Sequence, residues 1–501
     1  MFTDFDVAIA GAGPTGLLLA GDLARAGVRC TVFERRAERS GLTRAFAVHA
    51  RTLEELDARG VADELVGTGI PVSELRIVGG AALNLSRLPT RFPYLLVTPQ
   101  YETERVLEER ARLLGADIRY DSKVTRFTGH QDVVEVEVRE HDGLPRLFRA
   151  GWLVGADGMH STVRKILGMP FPGKSVVRSV MLADVRFAQP PPDVVTMNAV
   201  GDFFCFIAPF GDGWYRVIAW DRHNQPPEST PVSLDEIRDV THEAIGTDFG
   251  MHEPRWMSRF HSEERQVPAY RSGRILLAGD AAHVHSPAGG QGMNTSIQDA
   301  ANLGWKLAAT VQGWAPEGLL DSYDAERYPV GKQVLRQSGA MLRVVLTGPR
   351  SLVGARNLLA GAATRIPYTA RMLADGASGI GISYRAPRDA HPLTGKRAAD
   401  LPLADSRRLY EALRDGRFVL VGDGQFPPNA MDGYSDRVTP ATPAAPTGTL
   451  TLIRPDAYTA WAMSTTATQG APDQRAAEIR AALARWCGKP ARTAPQAVAS
   501  R

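Results

Sequence analysis

Gly11-Ala12-Gly13-Pro14-Thr15-Gly16 is the stretch that decides the fold of this chain, and its surroundings are as informative as its glycines. It follows a short apolar run, Phe5-Asp6-Val7-Ala8-Ile9-Ala10, and precedes a helix-like segment at residues 17–26, which ends at Gly27. A G-x-G-x-x-G turn between a strand and a helix lets backbone amides approach a pyrophosphate at the helix N-terminus. The sequence therefore predicts a dinucleotide-binding unit at the start of the chain.

An acidic residue follows this turn at the distance that such a site requires. Residues 30–33 read as a second buried strand, and Glu34 comes at its end, roughly 20 residues after the glycines. A carboxylate at this place reaches the ribose hydroxyls of an adenosine. Because strand, helix and acid are all present, a glycine-rich turn without a ligand is a poor explanation.

Two further motifs of glycine and aspartate lie downstream. Gly155-Ala156-Asp157-Gly158 ends an apolar strand, and Gly279-Asp280-Ala281-Ala282-His283 follows another at residues 274–278. The second motif continues through a glycine-rich loop to Asn294, and residues 295–311 read as a helix. An aspartate at a strand end can accept from a ribityl hydroxyl, and a helix N-terminus favours an electron-rich flavin. The three motifs together point to FAD.

The composition is that of a large protein with a buried core. Its 501 residues are 44% hydrophobic and carry a net charge of only +3, so the charge balance gives no reason to expect nucleic acid. We expect two or three domains. Three widely spaced cysteines indicate a reducing compartment, and no apolar run approaches membrane-spanning length. Since the chain opens with a strand and no targeting segment is visible, we predict a cytoplasmic protein.

Two other patterns stand in unsuitable contexts. Residues 168–175 match the P-loop string, but they follow a helix-like segment and contain two prolines, so we expect a solvent-exposed loop. His283 and His285 could form a metal pair, but the sequence offers no third ligand at a suitable spacing. We therefore expect no metal.

The hydrophobic pattern predicts several more elements. Residues 51–66 read as one helix, residues 118–127 as one strand, and residues 72–85 as strands joined at Gly79-Gly80. Between residues 177 and 220 the chain alternates as an antiparallel sheet, inserted between two halves of the nucleotide domain. Its aromatic residues could line a pocket for a flat substrate, although each one alone is more readily explained as sheet core. They are Phe203, Phe204, Phe206, Phe210, Trp214, Tyr215 and Trp220.

These motifs resemble those of the class A flavoprotein monooxygenases of the para-hydroxybenzoate hydroxylase type. More narrowly, the chain resembles actinobacterial hydroxylases of aromatic polyketides and rifampicin monooxygenases. The likeness covers roughly residues 4–395 and rests on residues 11–16, 155–164, 247–250, 279–294 and 320–327. It implies an α/β fold: a Rossmann-like FAD-binding domain with an inserted antiparallel-sheet substrate domain and a C-terminal thioredoxin-like domain.

The implied domain boundaries follow from this architecture. Residues 1–175 form the first FAD-binding part, with some sheet insertions, and residues 176–272 mainly form the substrate-binding sheet. Residues 273–395 form the second FAD-binding part with a helical region. Residues 396–501 form the thioredoxin-like domain, which lacks a C-x-x-C pair and therefore has a structural or dimer-contact role rather than a redox role.

The resemblance also assigns cofactor contacts. Glu34 is expected to bind the adenosine ribose, Asp280 the ribityl and pyrophosphate region, and Asp157 both FAD and NAD(P)H. Met293 and Asn294 are expected to face the isoalloxazine. The full set of implied FAD contacts is Gly11, Gly13, Pro14, Gly16, Glu34, Arg35, Arg44, Gln100, Val124, Asp157, Asp280, Pro287, Gly290, Gly292, Met293 and Asn294. For Gln100 and Arg44, a surface polar residue without function is the alternative.

The family chemistry uses FAD with NADPH or NADH as a transient co-substrate. O2 adds to the reduced flavin, and a phenolic ring attacks the resulting C4a-hydroperoxide, so the cofactor carries the chemistry. Arg44 and Arg216 are the candidate catalytic residues for substrate orientation, with His49 and His283 as further possibilities. The expected partners are O2 and an aromatic small molecule, either a biosynthetic polyketide or an antibiotic to be inactivated, bound by a monomer or homodimer. Baeyer-Villiger oxygenation and a flavin-bound resistance protein without turnover are the alternatives.

Overall fold

The computed structural model describes residues 3–39, 41, 45–76, 82–192, 194–210, 212–346, 353–424, 426–427, 429–465 and 472–491. The first part of the chain contains β1 (Phe5–Ala10), α1 (Pro14–Arg25), β2 (Cys30–Phe33), β3 (Ala47–Val48), α2 (Ala50–Asp57), α3 (Ala62–Val66), β4 (Ile70–Val72), β5 (Glu74–Arg76), β6 (Ala82–Asn84), β7 (Leu95–Val97), α4 (Gln100–Leu113), β8 (Asp117–Arg119), β9 (Lys123–Gly129), β10 (Val134–Arg139), β11 (Pro145–Gly155) and α5 (Thr162–Ile166). The middle part contains β12 (Gly173–Phe187), β13 (Thr196–Val200), β14 (Phe203–Pro209), β15 (Tyr215–Asp221), α6 (Leu234–Ile245) and β16 (Met251–Gln266).

The chain then returns to the nucleotide sheet and ends in a smaller domain. The returning part contains β17 (Arg271–Ser272), β18 (Ile275–Leu277), β19 (His283–Val284), α7 (Gln291–Val311), α8 (Ser322–Leu346), α9 (Val353–Arg365) and α10 (Pro367–Ser378). The C-terminal part contains α11 (Leu409–Ala412), β20 (Phe418–Val421), β21 (Val438–Ala441), β22 (Thr449–Ile453), β23 (Thr459–Ser464) and α12 (Pro472–Cys487).

The nucleotide domain is built on an eight-stranded sheet. Its strand order is β17-β18-β11-β1-β2-β8, with β10 paired to β11 and β9 to β10. The central pairs of β1 with β2 and β11 are parallel, and β11 with β18 is parallel as well. Parallel strands must be covered on both faces, which is why β1 and β2 are continuous apolar runs rather than alternating ones. The carboxyl ends of β1, β11 and β18 therefore lie side by side, and each carries one of the three motifs.

The inserted domain is a second sheet with the order β13-β14-β15-β12-β16-β19. The C-terminal domain is a four-stranded sheet, β21-β20-β22-β23, against which α12 packs through Ile479 and Leu483. This arrangement confirms the predicted α/β fold class. Among the described helices, none is both long and apolar enough to cross a membrane.

Three local predictions differ from the structure. The predicted helix at residues 51–66 is divided into α2 and α3, because Gly60 adopts a left-handed φ of 76°. The predicted strand at residues 118–127 is divided into β8 and β9 by Asp121, whose φ is 49°. Gly79-Gly80, the predicted turn between strands, lies outside the described residues.

The P-loop string lies largely as expected. It follows the helix α5, and residues 168–172 form an exposed to half-buried loop, whereas residues 173–175 are exposed and open β12. Gly173 pairs with Arg265 of β16, and a Cβ on this glycine would lie 2.7 Å from the Arg265 Cα. The glycine therefore permits close strand pairing.

Buried ion pairs join the C-terminal domain to the nucleotide domain. Arg51 of α2 is fully buried and donates to Glu55 Oε1 at 2.5 Å and to the Asp456 carbonyl at 2.7 Å. Arg454 donates to Glu326 Oε1 at 2.7 Å. Bonds of this kind leave little freedom of orientation, so the two domains form one packed unit.

Candidate active site

The first glycine turn is shaped by close backbone approach. Gly11 has a φ of 105°, and a Cβ there would lie 2.8 Å from the Ala156 carbonyl carbon in the motif at residues 155–158. A Cβ on Gly16 would lie 3.2 Å from the Gly11 carbonyl carbon. Around Gly13, by contrast, a Cβ would meet nothing within 4 Å, and Pro14 begins α1 directly after it. The turn thus presents an open space at a helix N-terminus, where an anion is favoured.

Glu34 lies beside this turn. Its Oε2 accepts from the Ala12 amide at 2.8 Å, and its Oε1 accepts from the Arg36 backbone at 3.0 Å and the Arg36 Nε at 2.9 Å. Each carboxylate oxygen has two lone pairs, so a ribose hydroxyl can still be accepted. Arg35, which was assigned to the cofactor, is exposed, whereas Arg36 is half-buried and paired with Glu34. Sequence reasoning missed Arg36.

The two carboxylate oxygens of Asp157 differ in their hydrogen bonding. Its Oδ2 accepts from the amides of Thr162 at 2.6 Å and Val163 at 3.1 Å, which caps α5. Its Oδ1 is buried and has no hydrogen-bond partner among the described residues. A buried carboxylate oxygen without a donor is costly, so a ligand hydroxyl fits this position.

Asp280 lies in a short 3-10 turn after β18. The residue is exposed toward the cleft, and Ser296 Oγ donates to its Oδ1 at 3.3 Å. The preceding Gly279 has a φ of 61°, and a Cβ on it would lie 2.7 Å from Thr15 Oγ1 of α1. The turn is therefore packed between α1 and α7, which brings Asp280 close to the first glycine motif.

The glycine-rich loop after this turn is held by Asn294. Its Nδ2 donates to the carbonyls of Ala47 at 2.9 Å and Gly290 at 2.8 Å, and its Oδ1 accepts from the His49 amide at 2.8 Å. The side-chain amide is thus engaged within the protein, and the contact of Asn294 with the flavin stays a prediction. Pro287 is exposed, Met293 is buried, and Gly292 has open space around its Cβ position.

The His49 side chain also holds the glycine-rich loop. Its Nε2 lies 3.0 Å from the Gly289 carbonyl, so this nitrogen carries the proton and donates. Burial lowers the pKa of His49 to about 4, against a smaller opposing effect of this hydrogen bond. His49 is therefore neutral at physiological pH and fastens the loop to β3.

Gln100 and Val124 have different surroundings. Gln100 begins α4, and its Oε1 accepts from the Ala45 amide at 3.0 Å while its Nε2 donates to Glu104 at 2.7 Å. It thereby anchors the segment directly after Arg44, which itself lies outside the described residues. The Val124 side chain is in the core, so only its backbone is available to a cofactor. Direct FAD contacts by these residues stay predictions.

A chain of buried polar groups lies behind the second motif. Arg327 Nε donates to Asp299 Oδ1 at 2.7 Å, and His283 Nε2 lies 2.6 Å from Asp299 Oδ2. The other nitrogen of His283, Nδ1, lies 2.9 Å from His285 Nε2. Both nitrogens of His283 are therefore engaged inside the protein, which does not suit the predicted contact with a substrate. Sequence reasoning missed Asp299, for which the only signal was a carboxylate in a largely apolar helix.

The inserted sheet presents two different faces. On one face, Phe203 and Tyr215 pack with α6. On the other, Phe206 lies 5.2 Å from the Phe46 ring, and Phe204 and Ile218 are half-buried. This second face is turned toward the segment that Gln100 and Asn294 hold.

Arg216 belongs to this second face but is completely buried. Its Nε and Nη2 donate to Asp184 at 2.6 and 3.1 Å, in a forked pair between neighbouring strands β12 and β15. The ion pair thus holds two charged side chains in one orientation within the sheet. Orientation of a substrate by Arg216 stays a prediction.

The described residues fit a bound FAD. The open space at Gly13, the unpartnered oxygen of Asp157 and the exposed carboxylate of Asp280 lie at the carboxyl ends of three adjacent parallel strands, where nucleotides bind in such sheets. No group of three or more potential metal ligands occurs in the described part of the chain.

Comparisons with known proteins agree with this geometry. Residues 4–338 match the family model of the FAD binding domain, and residues 391–490 match that of the aromatic-ring hydroxylase C-terminal domain. The structure resembles the anhydrotetracycline hydroxylase OxyS from Streptomyces rimosus, at 38% identity and a TM-score of 0.86, covering 97% of this chain and 100% of that one.

Two relatives illustrate the range of the family. A rifampicin monooxygenase of Streptomyces venezuelae is 37% identical, over 91% of this chain and 95% of its own length. A dialkyldecalin synthase of Streptomyces rugosporus is 34% identical, over 91% and 95% respectively. These matches confirm the resemblance inferred from the motifs. The chain belongs to the FAD-binding family of aromatic-ring hydroxylases and is a flavin-dependent monooxygenase.

Proposed function

We propose that this chain uses FAD, NAD(P)H and O2 to hydroxylate a phenolic aromatic polyketide or an antibiotic derived from one. The observation that carries the proposal is the half-buried aromatic face of the inserted sheet, turned toward the elements around the cofactor cleft. Phe204, Phe206 and Ile218 provide a flat apolar wall. Such a wall suits a polycyclic ring system better than a charged or strongly polar substrate.

Charged side chains lie at one end of this apolar wall. Asp184 and Arg216 form a buried forked ion pair, and Arg255 lies 3.8 Å from the same carboxylate. Arg255 is about one-third exposed at its side chain, and its guanidinium stacks over Trp214 at 4.6 Å. A phenol or phenolate that enters beside the aromatic wall would find a cationic neighbour here.

The chain's own residues have holding and excluding roles. Gly11, Gly13 and Gly16 shape the pyrophosphate turn, and Asp157 and Asp280 would hold FAD hydroxyls. FAD supplies the reduction and activation of O2, for which no amino-acid side chain is suited. The packed aromatic wall would exclude water from the reacting atoms, which limits unproductive loss of the activated oxygen.

The relatives support the substrate class. One acts on anhydrotetracycline and another on rifampicin, and both substrates are polycyclic polyketides with phenolic rings. Biosynthetic tailoring and antibiotic inactivation are both compatible with this pocket. Oxygen insertion beside a carbonyl, as in a Baeyer-Villiger reaction, would use the same cofactor site.

The likeness to a dialkyldecalin synthase favours a second candidate. That relative is named for the synthesis of a dialkyldecalin and not for an oxygenation, so a synthase that does not add oxygen is the second candidate. In that case FAD would be structural, as would also hold for a resistance protein that only binds its antibiotic.

Anaerobic mixing with NADPH separates these candidates. The holoprotein is mixed with NADPH in the presence of anhydrotetracycline, rifampicin or no addition, and the loss of flavin absorbance is followed. We expect one compound to accelerate flavin reduction at least tenfold and, after addition of O2, to gain one oxygen atom by mass spectrometry. No reduction with any compound, or a product without added oxygen, would reject the hydroxylase in favour of a binding protein or cyclase.

A pair of substitutions on one strand tests the proposed wall. Phe206→Ala removes a ring from the cleft face, whereas Phe203→Ala removes one from the face that packs on α6. We expect Phe206→Ala to raise the KM for the accelerating compound about tenfold, with flavin binding unchanged. Phe203→Ala should lower the melting temperature and leave KM within twofold. Equal effects of the two variants on KM would contradict a substrate site on this face.

A further inference from the structure

The chain of buried polar groups behind the second motif is made by residues far apart in sequence. Arg327, Asp299 and His283 are each 0% exposed. Asp299 stands in the middle, with Arg327 Nε on its Oδ1 at 2.7 Å and His283 Nε2 on its Oδ2 at 2.6 Å. Because a carboxylate only accepts, both neighbours donate to it. Although burial raises the pKa of Asp299, its interactions with His283 and Arg327 outweigh that effect and keep the pKa below its ordinary value.

Two of these residues, Asp299 and Arg327, hold backbone on both sides of the cofactor loop. Asp299 Oδ2 also accepts from the Gly279 amide at 3.1 Å, directly before Asp280. Arg327 Nη2 donates to the Thr295 carbonyl at 3.1 Å, directly before Ser296, which in turn donates to Asp280. Both segments that touch Asp280 are therefore fastened from behind by one ion pair.

The Gly279 turn is also held by hydrogen bonds from the Ala282 amide to the Gly279 carbonyl at 2.8 Å and from Arg164 Nη1 to the Ala281 carbonyl at 2.9 Å, but neither of these involves the Gly279 amide. Its φ of 61° is a conformation that side chains rarely adopt, and it is pressed between Thr15 of α1 and Ser296 of α7. A rotation of this peptide would withdraw the Gly279 amide from Asp299 and turn Asp280 away from the cleft. The bond from Gly279 to Asp299 opposes that rotation directly.

Aromatic rings and a further hydrogen bond also support the buried polar groups His283 and Arg327. The Tyr270 ring stacks on the His283 ring with 5.7 Å between centroids, and the His285 ring stacks on it with 4.9 Å between centroids. Arg327 Nη1 reaches Tyr384 Oη at 3.3 Å. Burying charged groups in this way costs free energy, and apolar side chains could pack here with equal stability. Apolar side chains could not, however, provide directional hydrogen bonds to the turn.

We propose that Asp299, His283 and Arg327 are positioning residues for FAD. They hold the Gly279 turn so that the Asp280 carboxylate projects to the ribityl region of the cofactor, and none of them touches the flavin. The proposal rests on the FAD site and not on the identity of the substrate. Supporting groups of this kind commonly change ligand affinity by 10- to 100-fold when removed from metal sites, and we expect a similar range here.

The test is Asp299→Asn with Asp22→Asn as its control. Both substitutions neutralise a buried carboxylate that binds arginine, since Asp22 accepts from Arg59 at 2.6 Å and from Arg110 at 2.9 Å. Only Asp299 is bonded to the cofactor loop. FAD is titrated into each deflavinated full-length protein, and its dissociation constant is measured from flavin fluorescence together with the visible absorption spectrum.

We expect Asp299→Asn to raise the dissociation constant of FAD about 10- to 100-fold and to alter the flavin spectrum. Asp22→Asn should lower the melting temperature of the deflavinated protein and leave the dissociation constant within twofold. If Asp299→Asn does not fold, His283→Gln replaces it, because glutamine keeps a donor and should give a smaller rise than His283→Leu. FAD affinity within twofold of the parent protein, or an equal loss in Asp22→Asn, would overturn the proposal.

Discussion

The two glycine-rich loops of the cofactor site are built in different ways. The loop at residues 11–16 is held by close backbone approach, since Gly16 packs on the Gly11 carbonyl and Gly11 packs on the Ala156 backbone, where a Cβ would be blocked. The loop at residues 279–294 is held by side chains from elsewhere, with Asn294 bonded to the His49 amide across a sequence separation of 245 residues. The first loop depends on backbone packing, and the second depends on side-chain hydrogen bonds.

This difference explains how each loop can fail. A substitution in the first loop acts through steric overlap and an unfavourable φ, so a single substitution there should have a large effect. A substitution around the second loop acts through hydrogen bonds that several groups share, so its effect should be graded. The three predictions below test this contrast.

The largest effect is expected in the first loop. Gly11→Ala would force a Cβ to 2.8 Å from the Ala156 carbonyl carbon at a φ of 105°, so we expect FAD binding to weaken at least 100-fold. Gly13→Ala is the matched control, since its φ is −81° and its Cβ position has no neighbour within 4 Å. This variant should fold as stably as the parent without FAD, while its Cβ weakens FAD binding by occupying the ligand space. Fluorescence titration and melting of both deflavinated proteins provide the measurement. Equal melting temperatures for the two variants would remove the steric explanation.

A smaller loss is expected at the clamp of the second loop. Asn294→Ala would leave the Ala47 carbonyl and the His49 amide buried without partners, which should lower the free energy of unfolding by about 2–4 kcal/mol. Asn294→Asp keeps the acceptor for the His49 amide but sets a buried carboxylate against the Ala47 and Gly290 carbonyls, so at neutral pH it should be destabilised at least as much as Asn294→Ala. Urea unfolding of the deflavinated proteins measures the series. A stability equal to that of the parent protein in either variant would show that Asn294 does not clamp the loop.

The smallest effect is a pH dependence from His49. Its pKa is lowered from 6.5 to about 4 in the folded protein, so the unfolded chain takes up this proton first as the pH falls. The resulting stabilisation is fully present above pH 6.5 and is lost toward pH 4, with a loss of about 1.5 kcal/mol between pH 6.5 and pH 5. His49→Gln can keep a donor to the Gly289 carbonyl but does not titrate. Unfolding measured at both pH values should show a smaller pH dependence in this variant, and an identical dependence would contradict the assignment.

Much of the fold could be predicted because its signals are local. The apolar runs of β1 and β2, the helix after Gly16 and the acid at Glu34 all appear in the sequence in their structural order. Where two short elements replaced one predicted element, a single residue with positive φ, Gly60 or Asp121, caused the break. Hydrophobic periodicity does not detect such residues, since the pattern of apolar residues continues across them.

The site was predictable only in part. The three motifs lie at adjacent strand ends as expected, but the roles of their polar residues depend on partners that the sequence does not identify. The sequence predicts that Asn294 faces the flavin, and the structure adds that its side-chain amide holds β3. It predicts that Arg216 orients a substrate, and the structure adds the buried pairing with Asp184. The flavin and substrate contacts themselves stay predictions.

The sequence by itself determined the nucleotide-binding unit, the cofactor class and the family, because glycines, strand runs and acids act over a few residues of backbone. Only the tertiary structure decided what holds the second loop. Asp299, Arg327 and His49 come from separate elements, and hydrogen bonds between such elements depend on how their helices and strands pack. Local spacing carries no record of that packing, so these contacts follow from the folded chain alone.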